Sequence, residues 1–316
     1  RDYLPDMTVE RDVPMSRHTS FRIGGPARRM AFPESREQLV ILLQLAEDCG
    51  ARPLVLGKGS NIKVELCETE VDLYWKMAIE VLELIQENNA KGEKTVMIVP
   101  YGPLGPYARL VELINKHRVS LKNCWFINMD EYLTDDGEWI DESSALSFHG
   151  FMNRTVYSKI DPELVMPENQ RIFPDPHDPD HIAKVIDELG GVDIAFGGIG
   201  INGHLAFNES QDELTPEEFA ALHTRVLAIS RETRTANAIG DLNGAIDAMP
   251  KKAVTIGMAE ILGAKKIRLG VFRDWHRSVV RQAAYGEVSA HFPATLIQRH
   301  PDAMIIVNAN AAKQPF

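Results

Sequence analysis

The chain has 316 residues, 44% hydrophobic and 25% charged, an ordinary globular make-up with apolar material for one large domain or two smaller ones. Its formal net charge of -11 argues against a general nucleic-acid binder, which needs a basic footprint, but allows a small anionic substrate in a locally positive pocket. Cys49, Cys67 and Cys124 have no CxxC spacing, no apolar run reaches the ~18 residues of a membrane span, and the charged N-terminal stretch is unlike a signal peptide. These features predict free thiols in a reducing cytoplasm, no zinc site and no membrane association. The chain begins at Arg1 rather than at a methionine, which reads as a fragment or a processed product.

Residues 36–48 predict an amphipathic helix, with Leu39, Leu42, Leu43 and Ala46 on one face and Gly50 as its stop. Residues 53–56 read as a short strand running into GKGSN at 57–61. A seam follows. Residues 62–66 alternate like a strand, and Thr69 can cap a long helix on which Val71, Trp75, Ala78, Leu82 and Ile85 share a face. Next come a buried-type strand at 95–99, a helix at 107–117, a strand at 124–128, a helix at 181–189 and a strand at 192–196. Further apolar runs at 253–256, 267–272 and 303–307 have helices between them. The alternation predicts an α/β fold, a mainly parallel Rossmann-like sheet with helices on both faces, preceded by a short N-terminal α+β fragment. The expected division is 1–61 and 62–316. In such folds ligands gather beyond the carboxyl ends of the strands.

Two motifs fall at such ends. NMDEY at 128–132 directly follows the strand 124–128 and places Asp130 and Glu131 for proton transfer to a ligand. An acidic pair alone is more often a cap or a solvated turn. GGIGINGHLAFNE at 197–209 directly follows the strand 192–196. Its glycines, Gly198, Gly200 and Gly203 among them, let the backbone turn sharply and approach a ligand. It lacks the lysine of a P-loop, so a nucleotide site is not expected. His204 can exchange protons near neutrality, and Glu209 five residues on would orient its ring and raise its pKa.

Together these segments resemble the glucosamine-6-phosphate deaminase/isomerase family, whose signatures are NMDEY and a G-x-G-x-D-G-H-x-A-F-N-E loop. The resemblance continues through Thr224-Arg225, TRTAN at 233–237, TIGM at 255–258 and LIQRHP at 296–301, and covers roughly residues 62–308. It implies the deaminase-type fold and conversion of a hexosamine phosphate to the ketose phosphate with loss of ammonia, without metal or organic cofactor. It also implies that Asp130 shuttles a proton between C1 and C2, that His204 assists ring opening with Glu209 in support, and that Arg234 contacts the phosphate. Pentose-phosphate lactonases share the fold and a related loop, and they rank second. Two departures stand out. Asn202 occupies the aspartate position of the loop, removing a charge near His204. Where the family has a Ser/Thr-rich phosphate cradle, PYGPLGP at 100–106 offers Gly102 and Gly105 but no hydroxyl except Tyr101, and its prolines delete N–H donors. Near the family's phosphate lysine stand Arg273 and Arg277.

TSFRIGGPA at 19–27 and LGKGSN at 56–61 resemble a second family, the start of the FAD-binding domain of UDP-N-acetylenolpyruvoylglucosamine reductase, over residues 13–61. The remainder of that enzyme has no counterpart here, and about fifty residues cannot enclose a flavin. The segment therefore reads as a truncated remnant, a fusion or an assembly artefact. Three functions are carried forward: a deaminase/isomerase acting on a small sugar phosphate, a non-catalytic sugar-phosphate binder on the same fold, and a flavoprotein reductase. Homo-oligomerisation stays open.

Overall fold

The computed structural model describes residues 8–14, 26–33, 36–50 and 62–315. It divides into two compact units, Arg1–Asn61 and Ile62–Phe316. In the first, β1 (Thr8–Pro14) and β2 (Pro26–Phe32) pair antiparallel, and α1 (Arg36–Asp48) follows. Gly50 ends the helix in the left-handed region, donating its N–H to the Glu47 carbonyl. Leu39, Leu42 and Ala46 are half-buried as expected, whereas Leu43 is exposed. The expected strand at 53–56, the turn at 57–61 and nearly all of 19–27 lie outside the described residues.

The second unit opens with β3 (Lys63–Cys67) and α2 (Glu70–Lys91). Thr69 caps α2 reciprocally: its hydroxyl accepts the Asp72 N–H, and its own N–H donates to the Asp72 carboxylate. The buried stripe of α2 differs from the expected one. Ala78, Leu82 and Ile85 are buried, but Val71 is 47% exposed, and Leu73, Met77 and Val81 complete the face. The stripe is broad because α2 packs on both the sheet and the next helix, which one line of helical spacing does not capture.

The chain continues through β4 (Thr95–Val99), α3 (Gly105–His117), β5 (Cys124–Asn128), β6 (Asp130–Leu133), α4 (Phe148–Thr155) and β7 (Arg171–Ile172). Then follow α5 (His181–Leu189), β8 (Ile194–Gly197), α6 (Pro216–Ala220), β9 (Arg225–Ala228), α7 (Arg231–Asp241), β10 (Lys252–Thr255) and α8 (Met258–Leu262). The last elements are β11 (Lys266–Val271), α9 (His276–Tyr285) and β12 (Ala303–Asn308). Seven strands form a parallel sheet in the order β3-β12-β11-β8-β4-β5-β7. Each face carries its own core. Val96 and Ile98 of β4 point into one cluster, Met97 and Val99 into the other, so every position of the strand is buried and four of its five are apolar.

The run at 253–256 does not join this sheet. As β10 it is the centre of a second, antiparallel three-stranded sheet, β6-β10-β9. A four-residue apolar run carries no mark of which sheet it enters, and β6, read from sequence only as a motif, is a strand as well. The small sheet begins at Met129, where the chain leaves β5. The Met129 N–H donates to Val99 of the large sheet, and its carbonyl accepts from Ile256 beside β10. Among the described residues, no helix is long and apolar enough to cross a membrane.

Candidate active site

The carboxyl ends of β4, β5, β8 and β11 open into one cavity of about 400 Å³. Its wall includes Tyr101, Gly102 and Pro103 after β4, Asp130 after β5, Gly198, Gly200 and His204 after β8, and Phe272, Arg273, Trp275 and His276 after β11. Asp130 and His204, 74 positions apart in sequence, therefore face one space.

Asp130 is the first residue of β6, paired with Thr255 of β10. It is 7% exposed. Burial, with the Glu131 charge a smaller contribution, holds its carboxyl well above the usual carboxylate range. Glu131 points elsewhere. It is fully buried and accepts from the N–H groups of Tyr132, Phe148 and His149 and from the Ser147 hydroxyl, tying β6 to the start of α4.

The loop 198–209 is held by its own side chains. The Glu209 carboxylate accepts from the Asn202 amide at 2.6 Å, which turns the Asn202 carbonyl oxygen toward His204 Nδ1, also at 2.6 Å. That oxygen can only accept, so Nδ1 carries the imidazole proton and Nε2 is the bare acceptor. Thr233 Oγ1 also lies 3.2 Å from Nδ1. Glu209 itself stands 3.8 Å from the ring, behind Asn202. The expected rise in the His204 pKa is reversed: burial outweighs the Glu209 charge and pushes the imidazole below its usual range. The loop is also bound to β10. The Phe207 N–H donates to Thr255 Oγ1 at 3.0 Å, and the Asn208 amide donates to the Ile256 carbonyl at 2.9 Å. At Gly200 a Cβ would fall 2.0 Å from the His204 ring, and at Gly203 (φ +83°) 2.5 Å from Phe292. Gly203 thus seats the loop on Phe292 and does not line the cavity.

The other end is sparser. Arg273 lies 5.8 Å from the ring centroids of Phe272 and Trp275 and is the cation among the described lining residues. Glu70 and Asp241 share the wall with it. Tyr101 stacks on Phe148 at 4.2 Å. Arg234 and Arg277 do not line the cavity. The Arg234 guanidinium donates to the Ile246 and Met249 carbonyls, and that of Arg277 to Asn310 and Asp274. Gly105 packs under the Tyr74 ring, which leaves no room for a Cβ. Glu70, Tyr74, Asp241 and His276 line the wall without having been singled out from sequence, as do Thr233 and Asn237, which entered only as parts of the motif 233–237. They sit on helices whose spacing shows only an amphipathic face. Among the described residues no cluster of His, Cys, Asp and Glu could hold a metal ion.

A buried carboxyl and a neutral imidazole at the carboxyl edge of a parallel sheet define an α/β enzyme of the acid–base type. No family model matches the chain. It is 31% identical over 247 residues to the glucosamine-6-phosphate deaminase of Bacillus velezensis, covering 76% of this chain and 95% of that one. It is 30% identical over 258 residues to glucosamine-6-phosphate deaminase 1 of Bacillus subtilis, covering 79% and 98%. The solved structure of a monomeric glucosamine-6-phosphate deaminase superposes with a TM-score of 0.68 at 29% identity, over 79% of this chain and 99% of that one. The chain belongs to the glucosamine-6-phosphate deaminase family. A 6-phosphogluconolactonase from Trypanosoma cruzi, 17% identical with a TM-score of 0.56 over 80% and 96%, shares the fold.

Proposed function

We propose that the protein is a cytoplasmic enzyme that converts glucosamine 6-phosphate, or a closely related hexosamine phosphate, to the ketose phosphate and ammonia. The observation that carries this reading is the shared cavity: the Asp130 carboxyl and the His204 imidazole line one space large enough for a hexose phosphate. His204, neutral with Nε2 bare, takes the proton of the C1 hydroxyl and returns it to the ring oxygen, opening the pyranose. Asn202 holds the tautomer and relays the Glu209 carboxylate to the ring. Asp130 then removes the C2 proton and delivers it to C1 while the C1 oxygen gains a proton given up by the C2 ammonium, which leaves a C2 iminium; water adds to C2 and the carbinolamine expels ammonia to give the ketone. Its burial-raised pKa suits a group that must both accept and return a proton. Arg273 takes the phosphate, with Gly102, Gly198 and Gly200 allowing close approach.

The test is incubation with glucosamine 6-phosphate, reading ammonia and fructose 6-phosphate. Their stoichiometric formation is expected. Tight binding without turnover would instead make the protein a sugar-phosphate binder. We further propose that residues 1–61 and 62–316 are separate domains, the first a truncated piece resembling a FAD-binding domain. A flavin-type visible absorbance in the purified protein would overturn the reading of that piece as a remnant.

A further inference from the structure

His276 is the buried first residue of α9 and lines the cavity. Both of its ring nitrogens are engaged. Nδ1 accepts the backbone N–H groups of Phe272 and Arg273 at 3.0 and 2.9 Å, so it carries no proton. Nε2 is therefore the protonated nitrogen, and it donates to the Ile199 carbonyl at 3.0 Å. Burial pushes the ring pKa down to about 4, which keeps this neutral tautomer in place near neutrality.

A histidine that merely closed the turn 272–276 would need Nδ1 alone. The Nε2 bond leaves that turn and reaches a carbonyl in the loop that carries His204. The two loops follow β11 and β8, which are adjacent strands. The rings flanking the Arg273 guanidinium also rest on this imidazole: Trp275 at 3.9 Å and Phe272 at 6.0 Å between centroids. We propose that His276 is a positioning residue that fixes the Arg273 turn relative to the His204 loop, so that a sugar bound by its phosphate presents C1 and C2 to His204 and Asp130. This rests on the reading that Arg273 takes the phosphate.

Two substitutions divide the ring's functions. His276→Asn places an amide oxygen near Nδ1, keeping the acceptor for the Arg273 turn and losing the tether to Ile199. His276→Gln places an amide N–H near Nε2, keeping the tether and losing the acceptor. The measurements are kcat for glucosamine 6-phosphate and the Kd of inorganic phosphate by titration of the full chain. His276→Asn should leave the phosphate Kd within about twofold of wild type and lower kcat about tenfold, because misplacement by a fraction of an ångström is felt at the reacting atoms. His276→Gln should raise the phosphate Kd about tenfold and lower kcat less than about threefold, the loss of a held charge-assisted contact. In an Arg273→Ala background His276→Gln should cost no further phosphate affinity. Identical profiles for the Asn and Gln variants, wild-type values for both, or an additive loss on Arg273→Ala would each overturn the proposal. If wild type binds phosphate yet releases no ammonia, the deaminase reading fails while the phosphate measurements still judge His276. If wild type does not bind phosphate, both the Arg273 reading and this inference fall.

Discussion

The two ends of the cavity are built on opposite plans. Around His204 the polar groups hold one another: Glu209 fixes Asn202, Asn202 fixes the imidazole tautomer, and Thr233 stands beside it. Around Arg273 stand the aromatic faces of Phe272 and Trp275, and the neighbouring loop contributes prolines, a glycine and the one hydroxyl of Tyr101. Proton transfer demands fixed geometry, since its efficiency depends on distance and on which nitrogen holds the proton. Anion capture by a guanidinium is a charge-assisted contact from a group that stays protonated, so it does not depend on a tautomer. At the end proposed for C1 and C2 the polar groups depend on one another, so a change to one should disturb the rest, whereas the end proposed for the phosphate rests on a single cation.

Asp130 is the residue on which the His204 end depends most. Asp130→Asn should lower kcat by about 10³-fold or more, since an amide cannot accept the C2 proton. The same change should raise the melting temperature at neutral pH. The folded carboxyl titrates above its unfolded value, so its contribution to stability is full below the unfolded pKa and is lost as pH rises through the folded one. An inactive but stabilised variant is the expected pair; full activity would remove Asp130 from the mechanism. At the same end, His204→Gln should cut kcat on the closed pyranose by about 10²-fold while sparing an open-chain analogue. Equal losses on both substrates would show that ring opening is not its task.

At the sparse end, Arg273→Ala should raise KM for the sugar phosphate by about tenfold with a smaller change in kcat, and Arg273→Lys should recover part of it. A KM unchanged in both would move phosphate recognition elsewhere on the wall. A smaller effect is expected from Asn202→Asp. It places a second carboxylate against Glu209 and beside the imidazole, so it should raise the His204 pKa and move the acid limb of the pH–rate profile to higher pH. An unmoved profile in an active variant would reduce Asn202 to a loop-shaping residue. The smallest effect concerns the domain division: a chain starting at residue 62 should melt close to the full-length protein, and a drop of many degrees would merge the two units.

Much of this was legible in order along the chain. β4, β5, β11 and β12 follow from apolar runs too short for helices, and the motifs stand out because each directly follows a strand. What was not legible depends on which face meets which. Val71 and Leu73 on α2 each fall on an apolar line of helical spacing, and only the packing of α2 on the sheet, with Leu73 against Gly270 of β11, buries one and exposes the other. The sign of the His204 shift needed the burial that outweighs Glu209. Arg234 sits in a motif, yet it does not line the cavity, and its Nη2 donates to the Ile246 and Met249 carbonyls. His276 had no signal at all, because its value lies in a carbonyl 77 positions away.

The strand β10 has a consequence of its own. Thr255 stands opposite Asp130 through the sheet register, and its hydroxyl accepts from Phe207, three residues beyond His204. The two groups proposed to move protons are thus both referenced to β10. Asp130 and the loop of His204 share one support in the small sheet, whereas Arg273 follows β11 of the large one.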